Sequence, residues 1–421
     1  MEKHKGTEPL TDAIMPADQP SVRENSRGRL LLSLFFSYFA TSPPSILVGL
    51  LLIDIGITFE NSVGVTGQLN TLSYFAAVVF ALLMGILSVR FTHKSLLLTG
   101  LLLLNISALG CAIAPNFSLM LISFSLVGLA TAAITPMTFT LIAEHFPLEK
   151  RASAVAWLVA GGSLSYVIGA PIISLISGYG DWRTAFYAFV LPVSLVSLLL
   201  AFIGVPSAPR NTQPAAGQEV YLRSFKETLS CKSASACLVG NVLRMASFMA
   251  VLIYGISFFR QRFGVPTNYA SVIMLVAASC YTVGSLVTGR LVSSFGRKSL
   301  TVLTSLLAGI FTISYAFVPN LGLSLLSNLS AAWFFGMAAS SASSLTLEQV
   351  PKYQGTMMSV NSAAQSFGSA LGTALGGTAL IIFNLFNYEA LGTILGALGI
   401  AAAIIFYLFT TDPTGHQMQS S

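Results

Sequence analysis

Apolar residues along this chain gather into long unbroken runs separated by short polar connections, rather than alternating residue by residue or recurring on one helical face. Twelve runs are long enough to cross a hydrocarbon layer about 30 Å thick. They fall at 30–51, 65–88, 95–114, 118–143, 153–177, 184–204, 236–259, 270–293, 300–318, 322–347, 357–383 and 388–410. Stretches such as Leu96 to Leu104 and Leu395 to Phe406 are apolar on every side, unlike the in-and-out alternation of a barrel strand. The pattern predicts an all-α membrane protein of twelve transmembrane helices.

Composition narrows the picture further. With 54% hydrophobic and 9% charged residues in 421, the chain falls far short of the roughly one-quarter charge that a soluble protein carries. The mixed-charge opening segment lacks a short apolar core followed by a cleavage site, so the first run is expected to remain as a span. Cys111, Cys231, Cys237 and Cys280 show no paired spacing and His4, His93, His145 and His416 are scattered, so neither metal nor cofactor is expected. The net charge of +6 is dispersed between apolar runs and forms no nucleic-acid patch. Gly-Arg-Lys-Ser at 296–299 lacks the glycine spacing of a phosphate loop, and no nucleophile elbow is present, so no enzyme is expected.

Position makes the few charges informative, because Lys and Arg near span ends stay on the cytoplasmic side. Placing both termini in the cytoplasm puts Arg90, Lys94, Lys150, Arg151, Arg210, Arg223, Lys226, Lys232, Arg290, Arg297, Lys298 and Lys352 inside, against Arg183, Arg260 and Arg262 outside. A cell-membrane protein follows, with a cytoplasmic tail at 1–28, bundles of six spans at 29–204 and 236–411, a linker at 205–235 bearing Pro206, Pro209 and Pro214, and a tail at 412–421. The bundles repeat. Gly85-Ile-Leu-Ser-Val-Arg-Phe-Thr-His-Lys-Ser-Leu aligns with Gly289-Arg-Leu-Val-Ser-Ser-Phe-Gly-Arg-Lys-Ser-Leu at an offset of 289 − 85 = 204, and Pro147 aligns with Pro351 at 351 − 147 = 204. One offset shared by two loops marks an internally duplicated transporter.

At these residues the chain resembles the major facilitator superfamily over about 380 positions. That family's loop signature recurs in degenerate form at Gly85, Leu87, Arg90, Phe91 and Lys94, and at Gly289, Leu291, Phe295, Gly296, Arg297 and Lys298. The segment from Phe146 to Phe189, with Gly161, Gly162, Gly169, Pro171 and then Asp181-Trp182-Arg183, is similar to the twelve-span drug:proton antiporter branch, especially its sugar-efflux-like members. The resemblance implies two pseudo-symmetric six-helix bundles that rock about a central cavity, working as a monomer to export a small-molecule substrate in antiport with protons. It also implies a gating network of Arg90 with Glu144 and Arg151, to which Glu348 corresponds in the second half. The signature's acidic position is Val89 in one copy and Ser293 in the other, and Phe124 stands where many proton-coupled exporters have an arginine.

Arg244 is the one arginine inside a span, where cost favours a cavity or an anion over lipid. Snorkelling to the headgroups is the structural alternative. Asn241 shares its helical face, and the resemblance puts Tyr38 on the opposite wall and Gln365 at similar depth. Asp54 falls at a span's outer end, which leaves no carboxylate at the midplane. Thr41, Asn70, Tyr166, Asn328 and Asn361 serve either as cavity contacts or as interhelical hydrogen bonds. Pro43 and Pro44 predict a kinked first span. Gly161, Gly162 and Gly169 on the fifth span, and Gly368, Gly372 and Gly376 on the eleventh, mark close helix approach, either as a sliding seam or as static packing.

Three functions therefore stand open. The first is an exporter of drugs or metabolites. The second is a facilitator or uptake carrier for a neutral or anionic metabolite held by Arg244. The third is a non-transporting receptor on the same fold. Apart from surrounding lipid and the solute, protons are the only further partner suggested.

Overall fold

The computed structural model describes residues 24–206, 226–350, 354–383 and 387–412. The tails, most of the linker with Pro209, Arg210, Pro214 and Arg223, and Lys352 lie outside these residues. Twelve helical passes appear among the described residues, and eleven are long and apolar enough to cross a membrane. The eleventh pass, Gln354–Ile382, is of similar length but carries amides, hydroxyls and glycines that make it more polar.

The first span is not one helix. Glu24–Phe39 stops, the chain turns through Ala40 to Ser42, and Pro43–Leu50 starts again with its prolines in the first helical turn, where no backbone donor is required. A second break at Leu51 precedes Leu52–Thr58. The predicted kink is thus present, and the Leu51 break, two residues past Gly49, is an addition to it.

Later spans follow the apolar runs but extend beyond them: Gln68–Arg90, His93–Ile113, Phe117–His145, Leu148–Tyr179, then the sixth from Trp182 to Gly204 with a π turn ahead of Pro192. The second half comprises Lys232–Phe263, Thr267–Phe295, Arg297–Phe317, Leu321–Leu347, Gln354–Ile382 and Asn387–Phe409. Odd-numbered spans run from the end of the bundle nearest the chain termini, the tail end, to the far end.

The duplication is complete at the level of packing. In the first half the third span packs on the fourth, the second on the fourth, the first on the fifth and sixth, and the third on the sixth. Each pairing recurs six spans later: ninth on tenth, eighth on tenth, seventh on eleventh and twelfth, ninth on twelfth. Between halves the second span meets the eleventh, the fifth meets the eighth, and the first meets the seventh. These three contacts surround the centre of the molecule.

Candidate functional site

The centre is built from side chains on both halves. Tyr38 packs edge-on against Phe139 with ring centres 5.9 Å apart. A Cβ at Gly162 would lie 2.7 Å from the Tyr38 ring, so this glycine makes room for it. Thr41 donates its hydroxyl to the Tyr38 carbonyl at 2.7 Å, and that carbonyl also accepts the Thr41 backbone N–H at 3.2 Å where the first span breaks. Tyr166 on the fifth span lies within electrostatic reach of Tyr74, Tyr38 and Tyr281. Tyr281, on the eighth span, stacks on Phe248 at 4.8 Å and lies within electrostatic reach of Arg244. Tyr74 donates to the Met249 sulfur at 3.6 Å, a further link across the halves.

Arg244 lies twelve residues after Lys232, about 18 Å along the seventh span at 1.5 Å per residue. Only 1% of it is exposed, which is incompatible with snorkelling into headgroups. Its Nε donates to Asn241 Oδ1 at 3.4 Å, while Nη1 is buried with no hydrogen-bond partner among the described residues. Asn241 in turn donates to Thr346 Oγ1 and to Asn361 Oδ1, both at 2.9 Å. Asn241, Arg244 and Asn361 thus come together as one lock between the seventh, tenth and eleventh spans. Gln365 is half-buried one turn beyond Asn361.

The other amides sit apart from this lock. Asn70 is buried, and neither atom of its amide has a partner among the described residues. Asn328 faces the seventh span, its Nδ2 3.8 Å from a Cβ built on Gly255.

The far end holds the halves together. Arg260 grips Asp54 with both terminal nitrogens, at 2.5 and 3.0 Å, and also donates to the Leu50 carbonyl at 3.1 Å. Thr71 bonds Thr373 at 3.1 Å, and a Cβ on Gly64 would lie 2.5 Å from the Gly377 carbonyl oxygen. Above this closure a cavity of about 720 Å3 is lined by Asp54, Ser174, Asp181, Asn268 and Ser271, among others. The Asp-Trp-Arg segment proves to be a clamp: Trp182 Nε1 donates to Thr58 at 2.9 Å, Arg183 donates to the Ala114 carbonyl at 2.9 Å, and its guanidinium lies 4.2 Å from the Trp182 ring centre.

At the tail end the predicted network is rearranged. Glu144 pairs with His93 at 2.6 Å rather than with Arg90, which is exposed, and Arg151 Nε donates to the Phe146 carbonyl at 2.9 Å. His93 opens the third helix and lies opposite the close of the fourth, whereas Arg90 points into solvent from the last turn of the second. In the second half Arg297 pairs with Glu348 at 3.3 Å. These are equivalent positions, since 93 + 204 = 297 and 144 + 204 = 348. Lys94 donates to the Phe202 carbonyl at 3.0 Å and Lys298 stands over Tyr407. Gly85 and Gly289 lie within helices, and Gly296 adopts φ 76°, a left-handed turn that favours glycine.

The glycine rows do not separate the halves. Gly161, Gly162 and Gly169 face Phe35, Tyr38 and Ile46 of the first span, and Gly368, Gly372 and Gly376 face Val242, Ala246 and Tyr254 of the seventh. Each row joins spans of one half. Pro171 lies inside the fifth helix and lines the far-end cavity.

Sequence reasoning placed Asp54 at the outer interface and Arg260 outside, but did not join them. Their separation of 206 residues nearly equals the repeat, which puts them at similar heights on the first and seventh spans.

This architecture is a two-bundle membrane carrier. The family model of the Major Facilitator Superfamily matches residues 30–278 and 236–420, and the chain belongs to that superfamily. Two relatives from Bacillus subtilis (strain 168) are the uncharacterized MFS-type transporters YwfA, 22% identical over 89% of this chain and 90% of that one, and YceJ, 24% identical over 92% and 97%. Among solved structures, a D-xylose-proton symporter aligns with TM-score 0.78 at 18% identity, covering 92% of this chain and 98% of its own. An inward-facing, unoccupied bacterial homolog of the human lysosomal transporter Spinster aligns with TM-score 0.77 at 17% identity, covering 91% and 97%. Membership makes this chain a multi-pass membrane transporter of a small-molecule solute.

Proposed function

We propose that the chain moves a small organic anion by alternating access, with Arg244 as the anion contact. One observation carries the reading. A guanidinium stays charged at any physiological pH, and this one is buried at mid-span with Nη1 unpartnered, where a carboxylate or phosphate of the solute supplies the missing charge. Tyr38, Tyr166 and Tyr281 offer rings and hydroxyls for an organic body. The resemblance of the fifth-span segment to sugar-efflux-like exporters supports outward transport. The basic residues near the tail end support a cell-membrane orientation with that end in the cytoplasm.

The test uses matched solutes on detergent-purified protein: benzoate beside benzamide, lactate beside lactamide, and methyl phosphate. The anions are expected to raise the melting temperature while the amides do not, and Arg244→Gln is expected to weaken anion binding at least about tenfold. Equal binding of acid and amide, with Arg244→Gln unaltered, would instead establish a neutral solute.

A further inference from the structure

We infer that this carrier is an obligatory exchanger of organic anions: it changes sides with an anion on Arg244 and very slowly without one. The inference rests on the anion reading above and adds how transport is coupled.

Arg244 is locked. Asn241 holds its Nε, and the Asn241 amide is itself fixed by Thr346 and Asn361 from two other spans. Among the described residues, five carboxylates pair elsewhere: Asp54 with Arg260, Glu144 with His93, Asp181 with Arg183, Glu348 with Arg297 and Glu389 with Arg262. All five pairs lie at an end of the bundle. Nor does the first half offer compensation, because the position equivalent to Arg244 is 244 − 204 = 40, the buried Ala40.

Alternating access requires an intermediate closed at both ends. With the far end closed Arg244 is already only 1% exposed, and closing the other end as well removes the last path for water and leaves the buried charge uncompensated. A bound anion cancels the charge at the step where it is most unfavourable, so loaded carriers cross and empty ones lag. Export of one anion is then tied to entry of another. No midplane carboxylate or proton is needed.

The experiment needs no knowledge of the natural solute. In a variant with the four native cysteines changed to Ala, Ile57→Cys and Tyr269→Cys place dyes on exposed far-end positions of opposite halves. Single-molecule energy transfer in reconstituted, low-salt protein then reads the rate of switching between far-end-closed and far-end-open states. Arg244→Gln and Arg244→Met are expected to switch at least about tenfold faster than the arginine protein, and to show the same two transfer levels, which verifies the fold. Unchanged switching in both variants would overturn obligatory exchange. If the variants switch faster yet no carboxylate or phosphate binds, the anion reading falls. If those anions bind and the variants switch no faster, exchange alone falls.

Discussion

At the tail end the two halves carry one ion pair each at matching positions, His93 with Glu144 and Arg297 with Glu348, yet only the first can lose its charge near neutral pH. At the centre the halves diverge more. The seventh span has Arg244 where the first has Ala40, and the eleventh packs Gly368 and Gly372 against backbone where the nearest neighbours of the fifth-span glycines are side chains. Duplication has preserved the helix pairings and left each half free to specialise: the second contributes the fixed central charge, the first contributes Tyr38 and Tyr166. A site assembled this way changes shape whenever the halves rock, because its ligands move with different bodies.

The largest effect that would sharpen this contrast concerns the two glycine rows. A Cβ on Gly372 would lie 2.0 Å from the Ala246 carbonyl oxygen, so Gly372→Ala must push two helices apart and is expected to cost about 1–3 kcal/mol or more. Gly169→Ala meets the flexible end of Ile46 at 3.3 Å and the Phe189 ring at an ordinary 3.7 Å, and is expected to stay within about 1 kcal/mol. Thermal unfolding in detergent separates them, and equal losses would contradict the difference between rows.

Next in size is the joint between halves. Asp54→Asn and Arg260→Gln each remove a bidentate pair that is partly open to solvent, and a double-mutant cycle is expected to give a coupling of about 1 kcal/mol after allowance for screening. Either variant should shift the far-end dye pair toward its open level. Additive effects in the cycle would remove the pair from the account.

The smallest effect is the titratable contact. A neighbouring carboxylate favours charged imidazole, so the pair stabilises at low pH and weakens as pH rises through the histidine titration. The stability lost on Glu144→Gln is therefore expected to shrink between about pH 6 and about pH 8 and to stay under about 1 kcal/mol, both contacts being near the surface. The loss on Glu348→Gln is expected to stay constant across that range, and His93→Arg should make the first half behave like the second.

Much of this was legible in the sequence, for identifiable reasons. A lipid solvent demands long apolar runs, so the spans and the 204-residue offset are written in the primary structure. Helical spacing placed Asn241 beside Arg244, and the prolines announced the first break. Partners from distant spans were less accessible. Glu144 was matched to Arg90 through a loop signature, whereas applying the offset to Arg297 and Glu348 would have pointed to His93. The glycine rows could not reveal which helix they face, because that depends on packing order and not on spacing. Gly49, two residues before the break at Leu51, is a weaker signal than a proline.

On the proposed reading, an anion at Arg244 governs rocking of these halves. Spin labels at Phe91→Cys and Phe295→Cys occupy equivalent exposed tail-end positions, since 295 − 91 = 204, and Ile57→Cys with Tyr269→Cys report the far end. Electron–electron distances measured in lipid with and without benzoate test the claim directly. Reciprocal changes are expected, one end lengthening as the other shortens, and none in Arg244→Gln. Distances that stay fixed, or that change in the same direction at both ends, would contradict it.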